Sequence, residues 1–384
     1  MKRFLVFAFL LVVLCACLCN GSIPSKVYAL EDFRLNAKSA ILVDFASGEV
    51  LVSQNADEKL EIASMVKLMT IYLTIDAVEK GEISLDDTLT ASDYAASMGG
   101  SQVFLDAGQK YNVGKMLQSV IMASANDASV ALSEYIAGSE KAFVEKMNQT
   151  AKSFGMENTQ YANATGLPAP MQFSTAFDTS IMLSKLVNSE IYHKYSSLWM
   201  DELVHPSGRK TEIVNTNKLT RYFKGCDCGK TGFTDEALYC LASSAVRDDM
   251  RLVAVVMGAK TAKERFSESV KLLNYGFDNF KSEVILDSQI ALGEISVTKS
   301  QETTVNAYAK DSFCALVKKG EKHNFDVSVN LDKKVSAPAC AGDKVGEIVI
   351  SKQGVVVKEI DAVLCEDVKV ITIPEAFRKV SHAW

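Results

Sequence analysis

An α+β fold, with helices packed on an antiparallel sheet and a small all-β domain behind it, is what this 384-residue sequence predicts. Three observations predict it. β-rich runs open and close the first two thirds of the chain, a long helical stretch separates them, and beyond Phe280 only short alternating apolar runs remain.

Taken in order, Ala40-Ile41-Leu42-Val43-Asp44-Phe45 and Glu49-Val50-Leu51-Val52 flank Ala46-Ser47-Gly48, which is a hairpin pattern of two strand-forming runs around a Gly-containing turn. Residues 63–79 then read as a helix apolar on most faces, closed by Lys80 and Gly81 in C-cap positions. A helix of that kind belongs inside a domain. Apolar residues recur at helical spacing over 113–124, 127–136, 140–153, 175–187 and 263–275, whereas 226–232, 237–245 and 251–258 return to strand character. One sheet is therefore assembled from both ends of the domain. After residue 280 come Val284-Ile285-Leu286, Phe325-Asp326-Val327-Ser328-Val329, Val345-Gly346-Glu347-Ile348-Val349-Ile350 and Val355-Val356-Val357, separated by charged turns, which predicts an all-β module over 281–371.

The N-terminus reads as a secretory signal over 1–29: Lys2 and Arg3 precede an unbroken apolar run over 4–19. Val27-Tyr28-Ala29 suits cleavage after Ala29, Leu14-Cys15-Ala16-Cys17 also resembles a lipoprotein box, and an uncleaved anchor is the third option. The run is shorter than the about 20 residues a membrane span needs. The remaining 355 residues divide into a large domain over 30–280, the β module, and a tail over 372–384. In that tail Phe377, Val380 and Trp384 fall on one side of a short helix and Arg378, Lys379 and His382 on another. Export places the chain at the outer face of the cytoplasmic membrane, in the cell wall or in a periplasm.

Loss of the signal takes the formal charge from −6 to −9, which gives no support to nucleic-acid binding. Cys226, Cys228, Cys240, Cys314, Cys340 and Cys365 form an even set, but the chain is large enough to be stable without staples. Cys226 and Cys228, two apart on one strand, are expected on the same face, near the upper distance for bridging. Free thiols are expected, with room for one bridge among Cys314, Cys340 and Cys365. The cysteine spacing matches no common zinc site and the four histidines lie far off in sequence.

Three short motifs carry the chemistry: Ser64-Met65-Val66-Lys67, Ser124-Ala125-Asn126 and Lys230-Thr231-Gly232. Ser64 and Lys67, three apart at the start of the buried helix, project on one face within reach of each other. A serine hydroxyl is a weak nucleophile until a neighbour takes its proton, and lysine does so only when burial and nearby positive charge lower its pKa. Met65, Val66, Leu68 and Met69 supply the burial and Lys230 the charge. Each motif alone has an ordinary reading: a lysine snorkelling to water, a helix-capping Ser/Asn pair, a surface hairpin. Glycine in a strand, however, suits close approach of another backbone, such as a peptide lying along the edge.

The set S-x-x-K, S-x-N and K-T-G in this order resembles penicillin-binding proteins and class A β-lactamases, with Ala125 where the middle motif often has Asp. Ser47-Gly48-Glu49-Val50-Leu51, Asn215-Thr216-Asn217-Lys218-Leu219 and Lys230-Thr231-Gly232-Phe233-Thr234-Asp235-Glu236-Ala237 narrow the resemblance to the D-alanyl-D-alanine carboxypeptidases, the low-molecular-weight penicillin-binding proteins, over nearly the whole exported chain. The resemblance implies a β-lactamase/transpeptidase-like domain and removal of the terminal D-alanine from peptidoglycan stem pentapeptides through an acyl-serine intermediate. It also implies covalent inhibition by β-lactams and no cofactor; the family often has a C-terminal amphipathic helix that touches the membrane, and at about three turns or less this tail reads nearly as well as an ordinary frayed terminus. Ser64, Lys67 and Ser124 would be catalytic, Ser124 as the proton relay. Asn126 would hold the substrate amide, Lys230 and Thr231 its carboxylate, and the N–H groups of Ser64 and Phe233, next to Gly232, would form the oxyanion hole. Leu238, where the family commonly has Gly, and Cys228-Gly229, where Gly and an aliphatic residue are usual, depart from the pattern and are expected at the floor of the site.

A β-lactamase needs a Glu-x-x-Leu-Asn segment between Asn126 and Lys230, and none is present. The motifs are equally compatible with an endopeptidase or transpeptidase on crosslinks, and a non-catalytic wall scaffold is the rival from another class. His193, His205, His323 and His382 suggest no Ser-His-Asp triad. Asn148-Gln149-Thr150 and Asn163-Ala164-Thr165 match the glycosylation pattern by chance.

Overall fold

A computed structural model describes residues 34–321 and 324–381. The signal segment, His323 and the last three residues lie outside the described residues, and so do the side chains of Phe377, Lys379 and Val380, on which an amphipathic tail depends.

A five-stranded antiparallel sheet organises the first domain, in the order Val50–Gln54, Ser39–Asp44, Met250–Ala259, Leu238–Arg247, Cys226–Thr234. The N-terminal hairpin thus joins three strands from far downstream in the chain. Alternation of side chains gives the sheet two buried faces. Ile41, Val43, Val253, Val255 and Met257 face the helical body, while Ala40, Leu42, Leu252, Ala254 and Val256 face the helix Ala262–Asn279. On the first face lies Lys67–Glu79, buried nearly all round and surrounded by Val113–Ala123, Asn126–Ala137, Glu140–Ser153 and Ala176–Leu186. Sequence periodicity does not show the short helix Glu190–Ser196 or the hairpin of Met200–Val204 with Lys210–Val214, whose apolar runs are too short to define a period.

One expectation is corrected. Cys226 and Cys228 do not share a face, because the register slips by a residue between them, with Cys226 opposite Ala245 and Cys228 opposite Ser244. That bulge turns Cys226 toward the Ala262–Asn279 helix and Cys228 toward the helical body. The cysteines among the described residues are all free thiols; Cys340 and Cys365 are exposed, and no bridge forms in the β module.

The module begins at Phe280–Leu286, which pairs with Phe313–Lys318, and continues as a six-stranded sheet ordered Phe325–Leu331, Lys344–Lys352, Val355–Leu364, Thr304–Ala309, Ala291–Thr298, Lys334–Ser336. Phe280 and Leu316 pack into the apolar cluster on the outer face of the first sheet. The helix Ile373–Ser381 follows.

Candidate active site

The site forms where the edge strand Cys226–Thr234 meets the entry to the buried helix. Ser64 lies on a 3₁₀ turn, Ala63–Val66, that runs directly into Lys67–Glu79. Ala63 is held at φ +47°, a left-handed conformation unusual for a residue with a Cβ, and so sets the direction in which the turn presents Ser64. The strand comes close enough that a Cβ on Gly232 would sit 2.7 Å from the Ile62 carbonyl oxygen and 3.3 Å from the Met65 nitrogen. This glycine allows the approach that a strand packed on the Ser64 turn requires.

Lys67 Nζ donates to Ser64 Oγ at 3.0 Å and to the Thr165 carbonyl oxygen. Fully buried, Lys67 is held well below the ordinary lysine range, by desolvation first and the Lys230 ammonium second, against an opposing pull from Asp127. Lys230 Nζ donates to Ser124 Oγ at 2.7 Å and to the Thr231 carbonyl at 3.0 Å; burial and then Arg265 push its pKa down to about 7. Ser124 caps Val113–Ala123 at φ +61°, and Asn126 opens the next helix. Asn126 is clamped at both ends of its backbone–side-chain unit, N–H to the Ser101 carbonyl and Nδ2 to the Gly99 carbonyl, each at 2.7 Å. Its Oδ1 is buried with no hydrogen-bond partner among the described residues. Thr231 Oγ1 donates to Thr216 Oγ1 at 2.9 Å.

Ser64, Lys67, Ser124, Asn126, Lys230, Thr231, Gly232 and Phe233 thus fall on two facing elements and the turn between two helices, as their motifs require. The structure adds others. Asp127, buried, accepts from the N–H groups of Val103 and Leu105 and fixes the loop that clamps Asn126. Arg265 lies over the rings of Tyr239 and Phe266 and donates to the Gly232 carbonyl at 3.1 Å, on the same amide as the Phe233 N–H. Phe233, 47% exposed, stacks on Tyr239 with centroids 4.3 Å apart. Asp127 stands beside a motif in the sequence; Arg265, on a helix far downstream, gives no sign there.

Leu238 is not at the floor of the site. It closes the hairpin opposite Thr234, at φ +57°. The histidines are not all remote from other donors: His193, Asp227 and Cys228 bring their donor atoms within 4.8 Å of one another. Arg251 takes both Asp227 oxygens, at 2.9 and 2.7 Å, so the carboxylate of this cluster is engaged in an ion pair. His205 bonds with Tyr111, Thr211 and Arg209.

Comparison with known proteins gives this fold and site their place. The chain belongs to the D-alanyl-D-alanine carboxypeptidase family, whose model matches residues 26–261; a second model, the penicillin-binding protein 5 C-terminal domain, matches residues 280–370. Among relatives, it is 39% identical over 335 residues to the D-alanyl-D-alanine carboxypeptidase DacF of Bacillus subtilis, covering 87% of this chain and 86% of that one. It is 34% identical over 346 residues to DacC of Escherichia coli, covering 87% and 85%. The crystal structure of penicillin binding protein 5 from Haemophilus influenzae superposes with a TM-score of 0.74 at 30% identity, over 89% of this chain and 100% of that one.

Proposed function

We propose that this protein is a serine-type D-Ala-D-Ala carboxypeptidase that removes the terminal D-alanine of peptidoglycan stem pentapeptides through an acyl-Ser64 intermediate. The observation that carries the reading is the pair of contact chains Thr165, Lys67, Ser64 and Thr231, Lys230, Ser124, close enough that the Lys230 charge acts on Lys67. Neutral Lys67 takes the Ser64 proton as Oγ attacks the carbonyl between the two D-alanines. The N–H groups of Ser64 and Phe233 receive the oxyanion, each such donor contributing about 2.7–4 kcal/mol. Ser124 passes a proton to the departing D-alanine nitrogen, and water then hydrolyses the ester. Charged Lys230 with Thr231 binds the substrate carboxylate, and the free Asn126 Oδ1 accepts a peptide N–H. β-Lactams mimic the same acyl donor and carboxylate, so they acylate Ser64.

The reading extends to location. Residues 1–29 export the enzyme to the outer face of the membrane or the wall, and the tail gives peripheral membrane contact. The test is release of D-alanine from diacetyl-Lys-D-Ala-D-Ala, alongside labelling by a fluorescent penicillin, for the protein from Leu30 onward. Release and labelling that both vanish in Ser64→Ala support the carboxypeptidase. Labelling without release moves the substrate to another peptide bond, and neither leaves the scaffold.

A further inference from the structure

Asn163-Ala164-Thr165, which matches a glycosylation pattern, has its asparagine amide fully engaged inside the protein. Asn163 Oδ1 accepts from the N–H of Gly166 at 2.7 Å and from both the N–H and Oγ1 of Thr165 at 3.1 Å, while Nδ2 donates to the Leu167 carbonyl at 2.9 Å. One side chain thereby closes a turn over residues 163–167. The turn is pinned from outside as well. Ala164 donates its N–H to Glu140 and accepts from Thr70 Oγ1 on the nucleophile helix, and Gln172 Oε1 receives the N–H groups of Ala162 and Asn163. Gly166, at φ +80°, lies so close to the nucleophile turn that a Cβ there would come 2.0 Å from the Ala63 carbonyl oxygen and 2.8 Å from the Ser64 nitrogen. What this turn delivers is the Thr165 carbonyl, which receives the Lys67 ammonium or amine N–H.

We propose that Asn163 is a positioning residue for the acylation step, its side chain folding the 163–167 turn so that the Thr165 carbonyl orients Lys67 toward Ser64. The proposal rests on the reading of Lys67 as the base. A neutral lysine amine carries two N–H bonds and one lone pair that rotate together about the Cε–Nζ bond, so one N–H must be tied if the lone pair is to point at a particular hydroxyl. The Thr165 carbonyl ties one, and Asn163 holds the carbonyl. The charged groups that act on Lys67 are Lys230 from the edge strand and Asp127 from the Asn126–Ala137 helix. Glu140 reaches the turn from its far side, through the Ala164 N–H.

The test is the rate of acylation by a fluorescent penicillin across about pH 4 to 10, for the wild type, Asn163→Ala, Asn163→Asp and Lys67→Arg, with thermal unfolding of each. Asn163→Ala is expected to slow acylation about ten- to a hundredfold. It also moves the acidic limb to lower pH, because the ammonium loses an acceptor that favours it. Asn163→Asp keeps the acceptor for all three donors but loses the donor to the Leu167 carbonyl, so it recovers only part of the rate, and its negative charge moves the limb to higher pH. Limbs of both variants that coincide with the wild type, with rate losses that follow only lowered thermal stability, would overturn the positioning role. If Asn163→Ala fails to fold, Asn163→Ser takes its place: too short to hold both the Gly166 N–H and the Leu167 carbonyl, it should slow acylation and move the limb to lower pH, and a wild-type rate and limb would overturn the role. Lys67→Arg separates the two readings: acylation at the wild-type rate in that variant refutes Lys67 as the base, whereas a large loss there with unmoved Asn163 limbs overturns only the role of Asn163.

Discussion

Ser64 and Ser124 each meet a lysine, at 3.0 and 2.7 Å, but the two pairs are built differently. Ser64 is partly exposed, sits on a turn at the mouth of a helix and lies against the Gly232 backbone. Ser124 is buried, terminates a helix in a left-handed conformation and faces a lysine that also bonds the carbonyl of Thr231. Burial lowers both lysines first; Lys67 is then lowered further by Lys230, and Lys230 by Arg265 behind the strand. Under the proposed function this difference matches the roles: a nucleophile needs exposure to substrate and a nearby amine of lowered pKa, which suits Ser64, and a relay needs a buried hydroxyl beside a cation, which suits Ser124.

The comparison breaks most sharply at the nucleophile. Ser64→Ala should abolish penicillin labelling and D-alanine release, read by gel fluorescence and by a D-alanine assay. Lys67→Met comes next. Acylation should fall about 10²–10⁴-fold, while thermal unfolding should shift little, since the relief of a buried amine is offset by the Thr165 carbonyl left without its donor. Ser124→Ala, if it is only the relay, should lose about 10²-fold in D-alanine release and remain labelled. A loss as deep as that of Ser64→Ala would make the two serines equivalent.

The pH dependence sharpens the same contrast. kcat/KM should rise from acid as Lys67 gives up its proton, and fall on the alkaline side as Lys230, held at about 7, loses the charge that binds carboxylate. Lys230→Met should remove the alkaline limb and leave the acidic one. The smallest effect lies off the site: Leu238→Gly relieves a left-handed leucine and should stabilise the fold by up to about 1 kcal/mol with little change in rate, read from unfolding midpoints.

Much of this contrast is legible in the sequence. Apolar runs over residues 40–45 and 251–258 mark strands buried on both sides, and the S-x-x-K spacing alone puts Ser64 and Lys67 on one face. What escapes is carried by backbone and by distance along the chain. The Thr165 carbonyl has no side-chain signature, the bulge at Asp227 depends on the partner strand, and Arg265 reaches Gly232 only once the last helix of the domain packs behind the sheet. Family position alone misplaces Leu238 at the floor, because the hairpin geometry that puts it at the turn is set by pairing with Thr234.

The most direct measurement is to acylate the protein with penicillin, digest it and locate the adduct by mass spectrometry. A single penicilloyl group on the peptide that contains Ser64, absent from Ser64→Ala, is the expected result. An adduct on Ser124, or labelling that survives in Ser64→Ala, would contradict the assignment of the two serines.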